Sequence, residues 1–242
     1  MMHEETNCLA GEREALDMIK DSAKRILCFG DSNTFGTNPC GGRWARSKRW
    51  PGRLQQILGE DYDVVEEGCG GRTTVFEDTP ELHKNGRSAL PVALASHKPL
   101  DLVIIMLGTN DMKHRFAALP CDIANGAAEL VRMVQTYPYG PAYRVPQVLL
   151  ISPILLGEDI EHSIYTGFSQ DAYETSKQLA PWFQKKAEEC GCLYLDAAQI
   201  ARPSERDQLH MEAEDHDRLA QHIAALIRRT FEDCVEPTKS CE

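Results

Sequence analysis

The sequence has no long apolar run, no excess of positive charge and no regular cysteine pattern. The longest uninterrupted apolar stretch runs from Leu102 to Leu107, far short of the roughly 20 residues that a membrane-spanning helix requires. The first 20 residues are acidic and interrupted, without the apolar segment of a secretory signal peptide. These absences argue against a membrane protein, and we expect a cytoplasmic protein without a membrane partner.

Charge and cysteine content narrow the class further. The chain carries 37 acidic residues against 26 lysines and arginines, a formal net charge of −11, and this charge repels nucleic acid at long range. Its nine cysteines are odd in number and include no Cys-x-x-Cys pair, so neither a disulfide framework nor a zinc site is indicated. We therefore expect no nucleic-acid partner.

Short apolar runs alternate along the chain with segments of helical periodicity. The predicted strands are Ile26–Phe29, Tyr62–Glu66, Leu102–Leu107, Gln147–Ser152 and Leu193–Asp196. The predicted helices are Trp50–Leu58, Ser88–His97, Asp122–Thr136, Asp171–Glu189 and Glu212–Phe231. This alternation is typical of βαβ units and predicts an α/β fold, a three-layer α/β/α sandwich with a mainly parallel five-stranded sheet, over residues 25–232. A helical extension is predicted for residues 1–24 and a frayed tail for residues 233–242.

A serine follows the first predicted strand directly. The segment Gly30-Asp31-Ser32-Asn33 ends this apolar run, and ligands of open α/β folds bind beyond the carboxyl ends of the strands. Ser32 is therefore a candidate nucleophile. The alternative interpretation is a polar turn, because Gly, Asp, Ser and Asn are all common turn residues.

A serine hydroxyl needs a base, and Asp207-Gln208-Leu209-His210 offers one just before the last predicted helix. An aspartate three residues from a histidine can accept from its imidazole and fix the tautomer, which leaves the second ring nitrogen free for the serine. The alternative is an aspartate that caps a helix beside a surface histidine.

Two further loops offer donors for a developing oxyanion. Asn110 lies in Gly108-Thr109-Asn110-Asp111 after the third predicted strand, and its side-chain amide can donate a hydrogen bond. Glycines 68, 70 and 71 follow the second strand and allow backbone N–H groups to approach a ligand closely. Ordinary turn chemistry is the alternative for both loops. No Gly-Lys-Ser/Thr follows the glycines, which excludes a Walker-type phosphate loop.

The order of these four blocks resembles the SGNH (GDSL) hydrolase family, with the flavodoxin-like fold of that family, from about Arg25 to Phe231. The resemblance implies that Ser32 is the nucleophile, His210 the base and Asp207 its orienting acid. It also implies an oxyanion hole formed by the backbone N–H groups of Ser32 and Gly71 and the Asn110 side chain, with no metal or cofactor.

The sequences Glu66-Glu67-Gly68 and Arg72-Thr73-Thr74 and the sequence of residues 100–111 look most like the arylesterase/acyltransferase branch of that family. This branch hydrolyses short acyl esters, and some members transfer the acyl group to alcohols or peroxide. We therefore expect a serine esterase for short, acetyl-type esters that is also able to transfer the acyl group. By analogy with this branch a homo-oligomer is an expectation, although the residues themselves leave the oligomeric state open.

The sequence departs from the family pattern at two positions. Gln208 replaces the glycine of Asp-Gly-x-His, which puts the local turn geometry in question. Gly70 replaces the serine that commonly precedes the donor glycine. Cys69 lies beside the predicted oxyanion hole, where it could make the site sensitive to oxidation, although an inert buried thiol is the other interpretation.

The substrate is less well determined by the sequence. Long loops after strands, Phe35–Arg49 and Pro153–Ser169, are expected at the binding edge. Candidate substrate-binding residues are Asp31, Asn33, Trp44, Trp50 and His114; the tryptophans could instead pack in the core. Two alternative functions remain at this stage: a carbohydrate deacetylase of the same fold, and a phosphatase of the haloacid-dehalogenase type that would use Asp31.

Overall fold

The computed structural model describes residues 23–232, so the predicted helix in the first two dozen residues and the predicted tail lie outside the described residues, apart from Ala23 and Lys24. The strands are β1 (Lys24–Gly30), β2 (Tyr62–Gly68), β3 (Leu102–Met106), β4 (Gln147–Ser152) and β5 (Leu193–Asp196). They form a five-stranded sheet in the order β2-β1-β3-β4-β5, and every neighbouring pair is parallel. The predicted α/β sandwich is confirmed.

Six α-helices accompany the strands within residues 23–232. They are α1 (Ser32–Phe35), α2 (Trp50–Leu58), α3 (Gly86–His97), α4 (Pro120–Thr136), α5 (Gln170–Cys190) and α6 (Ala213–Glu232). Helices α3, α4 and α5 pack on one face of the sheet and α2 and α6 on the other. The sequence patterns predicted all of these except α1, which is a single turn directly after β1.

Both faces of the sheet are covered, and this explains the residue types of the central strands. In β1, Leu27 and Phe29 point to the face of α3, α4 and α5, while Ile26 and Cys28 point to the face of α2 and α6, because successive side chains of a strand alternate. All five residues of β3 are buried, as expected of a strand covered on both sides. Cys28 is fully buried, and burial raises the pKa of its thiol.

The register places the ends of the first three strands side by side. Gly30, the last residue of β1, lies opposite both Gly68 and Met106. A Cβ on Gly30 would lie 2.0 Å from Thr34 Oγ1, and one on Gly68 would lie 2.1 Å from the Phe35 nitrogen. Only glycine therefore allows α1 to start this close to the strand ends.

No helix within residues 23–232 is long and apolar enough to cross a membrane.

Candidate active site

A cavity of about 320 Å³ opens at the carboxyl edge of the sheet. Segments that follow all five strands contribute to its wall, which contains residues Ser32, Thr37, Gly70, Gly71, Glu81, Asn110, Lys113, Ile164, Tyr165, Thr166, Phe168, Leu209 and His210. The site that the sequence predicts is therefore assembled in one place, because the carboxyl ends of parallel strands share an edge.

Ser32 is the first residue of α1 and lines this cavity. Asp31 caps the helix: its side-chain Oδ1 accepts a hydrogen bond from the Asn33 backbone at 2.9 Å. Asp31 is buried and does not line the cavity, contrary to its interpretation as a substrate-binding residue. Burial outweighs its hydrogen bonds and raises the pKa of Asp31 to about 6.

His210 and Asp207 form a buried hydrogen-bonded pair. His210 Nδ1 lies 2.7 Å from Asp207 Oδ2, while Asp207 Oδ1 accepts from the backbone N–H groups of Leu209 and His210 at 3.0 and 2.9 Å. Burial by itself would raise the pKa of Asp207, but the hydrogen bonds from His210 and Leu209 hold it below its usual range. Asp207 therefore stays ionised and favours a proton on Nδ1, which leaves His210 Nε2 free to act as a base.

No hydrogen bond joins Ser32 and His210 among residues 23–232, although both line the same cavity. Nucleophile–base hydrogen bonds are often long in a ligand-free active site and shorten only in the substrate complex. The Tyr165 ring packs edge-on against the His210 imidazole, with 4.7 Å between the ring centroids. This contact restricts the movement of the imidazole.

Gln208 shows how the chain accommodates the missing glycine of the Asp-Gly-x-His pattern. Its φ of +60° lies in the left-handed region, which is costly for a residue with a side chain. Its backbone oxygen accepts from Gly157 N at 2.7 Å, and its Oε1 accepts from Asp159 N at 3.2 Å. The Gln208 amide thus ties the β4–α5 segment to the Asp207–His210 turn, a contact that glycine could not make with a side chain.

Asn33 also has a different role from the one predicted. Its side-chain amide donates to the Leu209 carbonyl at 3.2 Å and accepts from the Met211 N–H at 3.1 Å. It is buried and absent from the cavity wall. Asn33 therefore holds both neighbours of His210 and fixes the histidine relative to the adjacent Ser32.

Three potential hydrogen-bond donors lie at the cavity, namely the backbone N–H groups of Ser32 and Gly71 and the side-chain amide of Asn110. Within residues 23–232, the backbone N–H groups of Ser32 and Gly71 donate to no other group. The Asn110 side-chain nitrogen donates to the Arg72 carbonyl at 3.2 Å, which orients the amide beside Gly71. Arg72 in turn donates to the Gly30 carbonyl at 3.0 Å and to the Glu67 carbonyl, so its buried guanidinium joins the ends of β1 and β2.

A buried aspartate behind these donors was not singled out by the sequence. Asp111 is completely buried and accepts hydrogen bonds from the backbone and the hydroxyl of Thr74. Burial, opposed by these hydrogen bonds, raises the pKa of Asp111 to about 7. Asp111 links the loop after β2 to the loop after β3. In the sequence, its position directly after Asn110 was the signal that could have identified it as part of the site.

The remaining candidate substrate-binding residues lie away from the cavity wall. Trp50 is completely buried in the core between α2, α6 and the sheet. Trp44 is half-buried, and its indole donates to the Met211 carbonyl at 3.2 Å. His114 is exposed, and its backbone N–H donates to Gly167 O at 2.7 Å. Trp50 therefore packs in the core, which is the alternative that the sequence left open for the tryptophans.

The basic residues of the predicted Phe35–Arg49 loop converge on a carboxylate. Arg43, Arg46 and Arg49 all pair with Glu66 of β2, and only Thr37 of this loop lines the cavity.

Cys69 is half-buried next to Gly70, with its sulfur 3.9 Å from Lys84 Nζ. A Cβ on Gly70 would lie 4.0 Å from Ser32 Cβ, so the glycine leaves space beside the candidate nucleophile.

The outer wall of the cavity comes from residues that were not among the candidate site residues, although one of their loops was expected at the binding edge. Glu81 belongs to the segment between β2 and α3, and Lys113 follows β3; they form an ion pair with 2.9 Å between Lys113 Nζ and Glu81 Oε1. Ile164 and Tyr165 belong to the predicted long loop Pro153–Ser169, which does reach the binding edge. Ser163 of this loop donates to the Asp207 carbonyl at 2.6 Å and ties it to the candidate base.

Known proteins resemble the chain in sequence and structure. Residues 28–225 match the GDSL-like lipase/acylhydrolase family. A carbohydrate acetylesterase from Sinorhizobium meliloti is 37% identical, with a TM-score of 0.81 over 86% of this chain and 100% of that one. The aryl esterase of M. smegmatis is 38% identical, with a TM-score of 0.80 over 85% of this chain and 99% of that one.

An acetylxylan esterase of Xylanibacter ruminicola is 26% identical in an alignment 227 residues long, which covers 86% of this chain and 44% of that protein. The chain thus spans less than half the length of this relative, whereas it covers the two bacterial esterase structures almost completely. The family match includes the segments that carry Ser32, Gly71, Asn110 and His210. The chain therefore belongs to the GDSL-like lipase/acylhydrolase family.

Proposed function

We propose that this protein is a serine esterase that hydrolyses short-chain, acetyl-type carboxylic esters. The observation that carries the proposal is the Asp207–His210 hydrogen bond of 2.7 Å at a cavity that also contains Ser32, Gly71 and Asn110. A nucleophile, an oriented base and hydrogen-bond donors on one cavity are the components that acyl transfer requires. The structural relatives named acetylesterase and aryl esterase support the same reaction.

The chemistry follows from these positions. Ser32 Oγ attacks the ester carbonyl while His210 Nε2 takes its proton, and the carbonyl oxygen becomes an oxyanion. The N–H groups of Ser32 and Gly71 and the Asn110 amide stabilise that charge. Collapse breaks the ester bond, the alcohol leaves with the proton from His210, and the acyl group stays on Ser32. Water, activated by His210, then releases the acid.

The same intermediate permits acyl transfer. An alcohol that enters the cavity before water can attack the acyl group on Ser32 and form a new ester. Ile164, Tyr165 and Phe168 give one side of the cavity an apolar surface that can hold the carbon skeleton of such an alcohol. Transfer is measured as new ester formed when hydrolysis is run with increasing concentrations of a primary alcohol.

A carbohydrate deacetylase is the second candidate, and one observation favours it. Glu81 and Lys113 place charged donors and acceptors on the cavity wall, which simple alkyl or aryl esters do not need. The phosphatase alternative has no such support, because Asp31 caps α1 and does not line the cavity.

A series of p-nitrophenyl esters of increasing acyl length tests the proposal. Wild-type protein is expected to act best on the acetyl ester, and Ser32→Ala is expected to lose at least about a thousandfold in kcat on every ester. A maximum at long acyl chains would overturn the short-chain assignment. Release of phosphate from a phosphomonoester that survives Ser32→Ala would overturn the esterase assignment.

A further inference from the structure

The segment between β2 and α3 folds back over the candidate oxyanion donors. Within it, Glu81 lines the cavity, and its Oε2 would lie 2.8 Å from a Cβ placed on Gly71. The Gly71 N–H is one of the groups that would bind the carbonyl oxygen of the ester. Glu81 Oε2 is therefore next to the place where the ester group of a substrate must lie.

Two cations hold this carboxylate in position. Glu81 Oε1 accepts from Lys113 Nζ at 2.9 Å and from Arg115 Nη2 at 3.0 Å. Arg115 also donates to the buried Asp78 at 2.6 Å, and Lys113 Nζ lies 3.5 Å from the same carboxylate. Two carboxylates and two cations thus form a balanced network that joins the loops after β2 and β3.

Both hydrogen bonds that the Glu81 side chain accepts from residues 23–232 use the same oxygen. Oε1 accepts both of them, whereas Oε2 accepts none from any residue of the described chain. The hydrogen bond from Lys113 is the main reason why the pKa of Glu81 lies below its usual range, so the group is a carboxylate at neutral pH. An ionised acceptor with a free oxygen thus faces the cavity beside Gly71.

We propose that Glu81 Oε2 accepts a hydrogen bond from a free hydroxyl next to the esterified carbon, so that the site selects partly acetylated polyols and sugars. The inference rests on the proposed esterase function. A neutral donor fits better than a cationic substrate because Lys113 and Arg115 already balance the charges of Glu81 and Asp78. A hydroxyl on the neighbouring carbon is close enough to the ester oxygen to reach this acceptor while the carbonyl occupies the Gly71 and Asn110 donors.

Two acetates that differ by one hydroxyl group test the proposal. They are the monoacetate of trans-cyclohexane-1,2-diol and cyclohexyl acetate. Migration of the acetyl group between the two hydroxyls of the diol gives the same monoacetate again. A hydrogen bond to a charged acceptor is worth about tenfold or more in kcat/KM. Wild-type protein is expected to prefer the diol monoacetate by about that factor, and Glu81→Gln is expected to remove most of the preference by lowering the rate on the diol ester alone.

Asp78→Asn is the matched control, because Asp78 belongs to the same ion network but does not line the cavity. A purely structural role of the network would lower both rates together in either variant and leave their ratio unchanged. An unchanged ratio in Glu81→Gln therefore overturns the proposal. If wild-type protein hydrolyses neither acetate, the proposed esterase function itself fails, which is a different result from equal rates on both.

Discussion

The inner and outer halves of the cavity are built in different ways. The inner half contains Ser32, Asn110 and His210, which are 7%, 5% and 1% exposed. The outer half contains Glu81 and Ile164, whose exposed fractions are 43% for the Glu81 side chain and 76% for Ile164. Side chains that perform chemistry must stay in one geometry, whereas side chains that recognise a substrate can lie on loops over a rigid base.

The supports of the two halves differ as well. His210 is held by Asp207 and, through its neighbours, by Asn33, so hydrogen bonds fix the inner half from several sides. Ile164 lies on the β4–α5 loop, which is attached through Ser163 to the Asp207 backbone. The difference predicts that substitutions in the inner half affect every ester, while those in the outer half depend on the substrate.

The largest effect among these substitutions is expected from Asp207→Asn. The amide cannot stabilise the imidazolium that forms when His210 takes the proton, and it favours the wrong tautomer, so kcat should fall by about 10³–10⁴ on every ester. Steady-state kinetics on p-nitrophenyl acetate measure this loss. Asp217→Asn, which changes a half-buried carboxylate on α6 that pairs with Arg53 outside the cavity wall, is the control and should retain full activity. A loss of less than tenfold in Asp207→Asn would show that the Asp207–His210 pair is structural.

A smaller effect, again on all substrates, is expected from Asn110→Ala. Removal of one oxyanion donor typically costs about 10²–10³ in kcat. Asn110→Asp keeps the size of the side chain but places a negative charge at the oxyanion position, and it should be at least as impaired. A change in KM with unchanged kcat would instead assign Asn110 to ground-state binding.

Much of the inner half could be predicted from the sequence, because its residues follow strand ends directly and their types carry the chemistry. Ser32 after β1 and Asn110 after β3 are examples: the sheet register alone brings their loops together. For the outer half the sequence indicated one loop, Pro153–Ser169, but none of its individual residues and not Glu81. Glu81 reaches the cavity only through the ion network with Lys113 and Arg115, which joins segments far apart in the chain.

The errors of the sequence interpretation have a physical cause in common. Asn33 and Trp44 carry groups that could bind a substrate, but each is used to hold the Leu209–Met211 segment. Gln208 occupies a left-handed position that a sequence pattern reserves for glycine, and hydrogen bonds to the β4–α5 loop accompany this costly conformation. Residue type alone does not distinguish a side chain that binds substrate from one that fixes a neighbouring loop.

Asp111, buried directly after Asn110, and Glu81 of the outer half are expected to contribute to stability with opposite pH dependence. The folded-state pKa of Asp111 is raised to about 7, so its contribution to the free energy of unfolding is full at low pH and is lost as the pH rises through about 7. Urea unfolding at several pH values should show the stability of the wild type falling relative to Asp111→Asn between about pH 4 and pH 7. Parallel stability curves for wild-type protein and Asp111→Asn would contradict the buried, protonatable state of Asp111.

The expected sign for Glu81 is the opposite. Its pKa is lowered, so any contribution is present at neutral pH and is lost on acidification below its usual range. The stability of the wild type relative to Glu81→Gln should therefore decrease towards low pH.

The smallest effect is expected from Ile164→Ala in the outer half. The side chain is largely exposed, so truncation should change the free energy of unfolding by less than about 0.5 kcal/mol and kcat/KM on p-nitrophenyl acetate by less than about threefold. Val92→Ala is a matched control, since Val92 is 66% exposed on α3 and lies outside the cavity wall. A tenfold loss on the acetate in Ile164→Ala alone would place this residue in the inner half.

The most direct test of the central claim is covalent labelling of the nucleophile. A fluorophosphonate probe reacts with a serine only where a base and oxyanion donors activate it. Peptide mass analysis of the labelled wild-type protein should locate one probe molecule on Ser32, and Ser32→Ala should remain unlabelled. A label on another residue, or undiminished labelling of Ser32→Ala, would contradict the assignment of Ser32 as the nucleophile.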